Sequence, residues 1–235
     1  MPQKISVARW ANQELIIPYA APYFAYVAIS SVLHNKISVE LNYCLKLVIV
    51  PALLAWAWKW YVPLTGPKSK VVSSLYGVVF GIVGLVVWIA LFAPFATPGQ
   101  EPWTVTGFIL RLVTASLVVP VFEELMMRGF VYRVALQWDE FRKQKVKQPL
   151  WHTLEHADIS TVSPGAWNWA AVWISTVIFT LGHTTPEWPA AIAYGLLMAF
   201  LWIIRKDLLS CIVAHGVTNL GLALYVYYTG SWELW

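Results

Sequence analysis

Apolar runs of membrane-crossing length recur along this chain, and they decide what it can fold into. The hydrocarbon core of a bilayer is about 30 Å thick and takes about 20 helical residues to cross. Seven stretches meet or approach that length: 16–33, 41–61, 71–95, 105–134, 166–183, 189–204 and 208–228. Open sheet edges leave backbone groups unsatisfied in lipid, so the spans are expected to be helices. Composition agrees. Hydrophobic residues make up 59% and charged residues 12% of the 235, against about 25% charged in soluble domains. A soluble globule of this size has no interior for so much apolar surface. The expected fold class is all-α, a polytopic transmembrane bundle of about seven spans.

Punctuation supports the divisions. Pro63-Leu64-Thr65-Gly66-Pro67 closes the second span, and the stretch from Pro94 to Pro102 closes the third. A polar segment from about Gln137 to Pro164 separates the fourth and fifth. Within it, Asp139–Lys147 reads as a solvated loop carrying topology charges, with a surface-lying amphipathic helix as the alternative. Gly77 and Gly81, four apart in the third span, offer a close helix-packing face.

The basic residues set an orientation. In a seven-span arrangement Lys4, Arg9, Lys59, Lys68, Lys70, Arg133, Arg142, Lys143, Lys145, Lys147, Arg205 and Lys206 fall on one side. Lys36 falls on the other, with Lys46 a little way into the second span and close enough to the surface to snorkel. The positive-inside rule then predicts a cytoplasmic N-terminus and an external C-terminus. Nine tryptophans (Trp56, Trp58, Trp60, Trp103, Trp167, Trp169, Trp188, Trp232 and Trp235) sit near the expected helix ends, where aromatic belts lie. The net charge of +4 comes from these short clusters rather than from one basic stripe, which argues against a nucleic-acid partner. The first apolar run begins too far in and continues too long for a cleavable signal, and is expected to be a permanent helix. Cys44 and Cys211 lie in apolar stretches without metal-ligand spacing and are expected to be packing residues.

Ionisable side chains inside spans are costly and therefore become functional candidates. The fourth span carries Glu123, Glu124 and Arg128; the fifth ends at Phe179 and His183; the seventh carries His215 and Asn219. Glu124 and Arg128, four apart, share a helix face and can pair. Glu123 is turned about 100° from Glu124 and has no such local cation, which suits a general base. His215 and Asn219 also share a face, and two donors aimed at one point suit an oxyanion pocket. His183 can orient a water together with Glu123. These groups suffice for peptide hydrolysis without a covalent intermediate, in a setting that excludes bulk water.

Each group alone has a blander reading: a Glu–Arg pair as structural glue, a hydrogen-bonded packing histidine, a His/Asn bridge between helices. Their co-occurrence favours a catalytic site. Glu123, His183 and His215 could alternatively ligate zinc. No HExxH is present, however, and His152 and His156 stand in the polar segment as HTLEH. A metal-free mechanism is favoured, with no cofactor. The competing classes are a non-catalytic scaffold or immunity factor and a small transporter. The transporter predicts inverted repeats, whereas the polar residues crowd one half of the chain.

At these residues the chain resembles the CPBP (Abi) family of membrane peptidases, which includes the Ras-converting CAAX endopeptidases. Three motifs occur in the family order: EExxxR as Glu123, Glu124 and Arg128; FxxxH as Phe179 and His183; and HxxxN as His215 and Asn219. The resemblance covers roughly Val105 to Tyr228. It implies an all-helical intramembrane fold and endoproteolysis of a membrane protein or peptide, near its C-terminus or membrane segment. It further implies that Glu123 and His183 activate water, that His215 and Asn219 stabilise the oxyanion, and that Arg128 with Glu124 shapes the site or positions substrate. Residues 1–104 are then an N-terminal set of about three spans and 105–235 the catalytic core.

Straight spans pose a depth problem. Glu123 would lie near the cytoplasmic end of the fourth and His183 near the opposite end of the fifth, on the order of 20 Å apart in depth. Convergence requires a break at Pro120, a helix that starts deeper, or a Thr184–Pro189 turn buried within protein.

Overall fold

A computed structural model of the chain describes residues 10–99 and 101–235; Lys4 and Arg9, two of the orienting charges, lie outside them. The described residues form eight α-helices joined by short connections: α1 Asn12–Val32, α2 Val39–Ala57, α3 Lys70–Phe92, α4 Val105–Lys143, α5 Pro149–His156, α6 Trp169–Leu181, α7 Trp188–Arg205 and α8 Leu208–Thr229. Six are long and apolar enough to cross a membrane, and α6 is a shorter apolar helix of 13 residues. The chain is an integral, multi-pass membrane protein of all-α class.

Side-chain caps mark where several helices begin. Ser38, Thr104, Asn168 and Asp207 accept from the backbone N–H groups of Leu41, Gly107, Ala171 and Ser210. Each satisfies a donor that the first helical turn would leave unpaired. The faces are sorted by solvent. On α3, Val71, Leu75, Val79, Ile82 and Val86 are more than half exposed, a helical stripe that lipid covers. The opposite stripe, Ser73, Gly77, Gly81, Gly84, Trp88 and Phe92, is buried. Gly77 and Gly81 provide the expected close-packing face: a Cβ on either would stand 2.7 Å or 2.6 Å from the Cβ of Val213 or Val217 on α8. Only a residue without a side chain lets α3 and α8 approach this closely.

α4 departs from the expected fourth span. It runs for 39 residues, about 58 Å, and continues unbroken through Pro120 with π-helical turns at Thr114–Val118 and Leu125–Val131. Its last two turns occupy residues expected to begin the polar segment. Asp139 there is buried and ion-paired with Arg142 at 2.7 Å and Lys143 at 2.6 Å, so Asp139–Lys143 is helix rather than loop. A polar knot anchors this end. The side-chain amide of Asn12 donates to Gln137 Oε1 and to the Thr153 carbonyl, and its oxygen accepts from the Ile159 N–H. Gln137 in turn donates to the Asp158 carbonyl. The "loop" composition of this region therefore serves internal hydrogen bonds that tie α1, α4 and α5 together.

α6 resolves the depth problem. It is about 20 Å long. Asn168, just before it, donates to the Leu136 carbonyl on the last turns of α4, so α6 climbs beside α4 from that level. Phe179 then arrives opposite Arg128, whose guanidinium lies 5.6 Å from its ring centre. Because α4 runs on for 20 residues past Glu123 and α6 starts beside Leu136, 13 residues past it, the end of the fifth apolar segment reaches the depth of Glu123 without a break at Pro120.

Candidate active site

Glu123, His183, His215 and Asn219 line one cavity of about 780 Å³, from α4, the end of α6 and α8. α3 and α7 add Trp88 and Tyr194 to its wall, and the first two helices add Tyr26 and Lys46. Three motifs separated by some fifty and thirty residues in sequence thus face a common space.

Behind the wall lies a buried polar relay. Arg128 and Glu124 are fully buried, with Nη1 and Oε1 3.2 Å apart, and Arg128 also donates to the Gly195 carbonyl at 3.0 Å. The same Glu124 oxygen accepts from His215 Nδ1 at 3.1 Å. A carboxylate already facing a guanidinium can only accept, so the proton of this bond sits on Nδ1. His215 Nε2 is then directed to Glu123 Oε2, 3.8 Å away, which is beyond hydrogen-bonding range. Glu124 and Arg128 do not line the cavity themselves: Glu124 meets it through His215, and Arg128 also through the Phe179 ring.

His183 is fixed differently. Its Nδ1 lies 2.9 Å from the carbonyl of Phe179, one turn back. A carbonyl can only accept, so Nδ1 carries a proton, and Nε2 of the neutral ring offers its lone pair. Aromatic rings hold the imidazole in place: Phe179 at 4.6 Å and Trp88 at 5.3 Å between ring centres. Tyr194 stands 5.7 Å from His215 and donates to Thr218 Oγ1, which donates onward to the Gly81 carbonyl on α3.

The position of Asn219 follows from Pro120. In the π turn before it, the N–H of Val119 bonds the carbonyl five residues back, at Thr114. The same register would pair residue 120 with Ala115, and proline has no N–H. Asn219 supplies the donor instead, its side-chain amide reaching the Ala115 carbonyl at 2.7 Å. Gly216 permits the approach, since a Cβ there would stand 2.7 Å from the Ser116 carbonyl. π turns commonly accompany functional sites, because they re-aim side chains and free backbone groups.

Other polar side chains in the spans fall out as follows. Lys46 does not snorkel: it is 3% exposed and lies over the rings of Tyr26 and Tyr43. Arg111 lines the same cavity, over Trp103 and Trp235. Cys211 is buried, and Cys44 is exposed on α2; both are free thiols. Among the described residues no group of three or more His, Cys, Asp or Glu side chains is arranged to hold a metal ion. Trp88 and Tyr194 carry no charge and sit inside apolar runs, so nothing in their sequence context singles them out.

Comparison with known proteins gives a result in accord with this geometry. Residues 105–221 match the family described as type II CAAX prenyl endopeptidase, Rce1-like. No curated protein and no solved structure matches the chain.

Proposed function

The chain belongs, through residues 105–221, to the Rce1-like family of CAAX-type peptidases, and on that premise we propose that it is an intramembrane endopeptidase of the glutamate type. Its substrate is a membrane-associated or lipid-modified peptide. The observation that carries this reading is the shared cavity of Glu123, His183, His215 and Asn219.

A water held between the Glu123 carboxylate and the lone pair of His183 Nε2 loses its proton to Glu123. Its oxygen attacks the scissile carbonyl carbon, and the carbonyl electron pair moves onto oxygen. His215 and Asn219 receive that oxyanion. Asn219 has one amide hydrogen on Ala115 and a second to give. With Nδ1 bound to Glu124, the oxyanion role requires a proton on His215 Nε2 as well. Glu124 at 3.1 Å and Glu123 at 3.8 Å are the counter-charges of that doubly protonated ring. Collapse of the intermediate expels the amine, which takes its proton from Glu123. Glu124 and Arg128 act as positioning residues through His215, and Phe179 packs between Arg128 and His183. The first three helices complete the wall around a catalytic core in 105–235.

The same reading assigns sides. The cavity reaches the surface among exposed Thr97, Thr184 and Pro186, in connections at the end of the bundle opposite Lys68, Lys147 and Lys206. With the basic end cytoplasmic, the N-terminus is inside, the C-terminus outside, and substrate enters from the external side.

The test is cleavage of lipid-anchored peptides by the purified protein in bilayers. Wild type hydrolyses them and Glu123→Gln, with unchanged thermal unfolding, does not. A non-catalytic scaffold predicts no Glu123-dependent hydrolysis.

A further inference from the structure

Tyr194 on α7 lines the cavity and is 1% exposed, and the proposed chemistry gives it no part. It is held at both ends. Its hydroxyl donates to Thr218 Oγ1 at 3.1 Å, and Thr218 gives its own proton to the Gly81 carbonyl at 2.8 Å. A threonine hydroxyl has one hydrogen, so these bonds run in one direction, from α7 through α8 to α3. At the backbone end, the carbonyl of Gly195, the next residue, accepts from Arg128 at 3.0 Å. Gly84 on α3 keeps the space open: a Cβ there would stand 2.5 Å from Tyr194 Cε2 and 2.9 Å from Thr218 Oγ1.

The ring held in this way packs against the supports of both histidines. It meets His215 edge to face, with centres 5.7 Å apart and planes at 69°. It also meets Trp88 at 5.8 Å and Phe179 at 6.1 Å, the two rings that stand against His183. Aromatic pairs at such distances are attractive and directional. The bond from His215 Nδ1 to Glu124 fixes one point of the imidazole. A single hydrogen bond leaves rotation about its own axis, and a ring packed against the imidazole removes it.

We propose that Tyr194 is a positioning residue for the hydrolysis. Its ring keeps His215 Nε2 directed into the cavity, and its bond to Thr218 holds the turn of α8 that carries His215 and Asn219. Thr218 stands three residues after the first and directly before the second. This rests on the endopeptidase reading, because His215 needs a fixed orientation as an oxyanion donor. Arg128 then acts on His215 by two routes, through Glu124 and through Gly195 and Tyr194. α3 lies outside the family-matched residues 105–221, yet its Gly81, Gly84 and Trp88 frame the site.

The experiment measures kcat and KM for a lipid-anchored peptide on the full chain in bilayers, together with the thermal unfolding of each variant. Tyr194→Phe keeps the ring and loses the bond, so kcat is expected to fall about fivefold, the effect of one hydrogen bond, with KM unchanged. Tyr194→Leu removes the ring, and kcat should fall about 10²-fold, as for a displaced catalytic group. Thr218→Val should match Tyr194→Phe, and the two combined should lower kcat no further than either alone. Thr218→Ser, which keeps the hydroxyl, should recover most of the rate lost in Thr218→Val. An unchanged kcat in Tyr194→Leu overturns the proposal, as do effects of Tyr194→Phe and Thr218→Val that multiply when combined. A raised KM at constant kcat makes Tyr194 a substrate contact, and a rate loss no larger than the loss of folded protein makes it a packing residue; either overturns the proposal. Cleavage that survives Glu123→Gln refutes the endopeptidase reading separately, whatever the Tyr194 variants give.

Discussion

Asn219 donates its side-chain amide to the carbonyl oxygen of Ala115 at 2.7 Å, at the turn where Pro120 has no N–H to offer. One residue thus repairs a helix and holds an amide group at the edge of the cavity. An unsatisfied buried carbonyl costs about 1–3 kcal/mol, so Asn219→Ala should destabilise the protein by that amount. In a Pro120→Ala background, where the backbone can supply the donor, the loss should shrink. A denaturation cycle over the four proteins measures the difference. Equal losses in both backgrounds would separate Asn219 from the proline.

Glu124 and Arg128 are both fully buried. Removing one partner of such a pair strands a charge and costs roughly 3–5 kcal/mol. Arg128→Met is therefore expected to lower unfolding stability strongly. Combining it with Glu124→Gln should recover much of the stability but not the hydrolytic activity, because His215 has lost the carboxylate on its Nδ1. Unfolding curves and peptide cleavage on the same preparations read out both effects.

Whether a feature is legible in the sequence depends on where its signal resides. The apolar runs announce seven spans because lipid permits little else, and the structure has six long helices and the shorter α6 in their places. EExxxR, FxxxH and HxxxN stand out because ionisable groups are rare there, and the structure brings their cavity-facing members together. The length of α4 is hidden. Gln137 and Asp139 look like loop residues, since their hydrogen-bond and ion-pair partners lie on other segments and in the helix's own last turn. Pro120 reads as a break because its missing donor is replaced from α8, about a hundred residues away. Lys46 reads as snorkelling because its depth depends on the tyrosine faces that receive it. Trp88 and Tyr194 are indistinguishable in sequence from lipid-facing aromatics.

Sidedness is open to labelling. In a background lacking Cys44 and Cys211, Thr97→Cys should react with a membrane-impermeant thiol reagent added outside intact cells, and Lys147→Cys only after the membrane is opened. The reverse pattern would invert the orientation and place the cavity mouth on the cytoplasmic face.

Metal dependence has an equally direct readout. His183 and His215 each commit Nδ1 to an oxygen acceptor, and the proposed water activation uses Glu123 and His183 alone. Cleavage should persist after prolonged treatment with a strong zinc chelator. Loss of activity that stoichiometric zinc restores would instead support the zinc alternative, with Glu123, His183 and His215 as ligands.

The account stands most heavily on Glu123 as the base of a membrane-embedded hydrolase. A positioned general base contributes about 10²–10⁴-fold. With the purified protein in bilayers and a lipid-anchored peptide ending in a free carboxylate, Glu123→Gln should reduce kcat by that factor while thermal unfolding stays within about 1 kcal/mol of wild type. Cleavage by Glu123→Gln within a few fold of wild type would contradict the account.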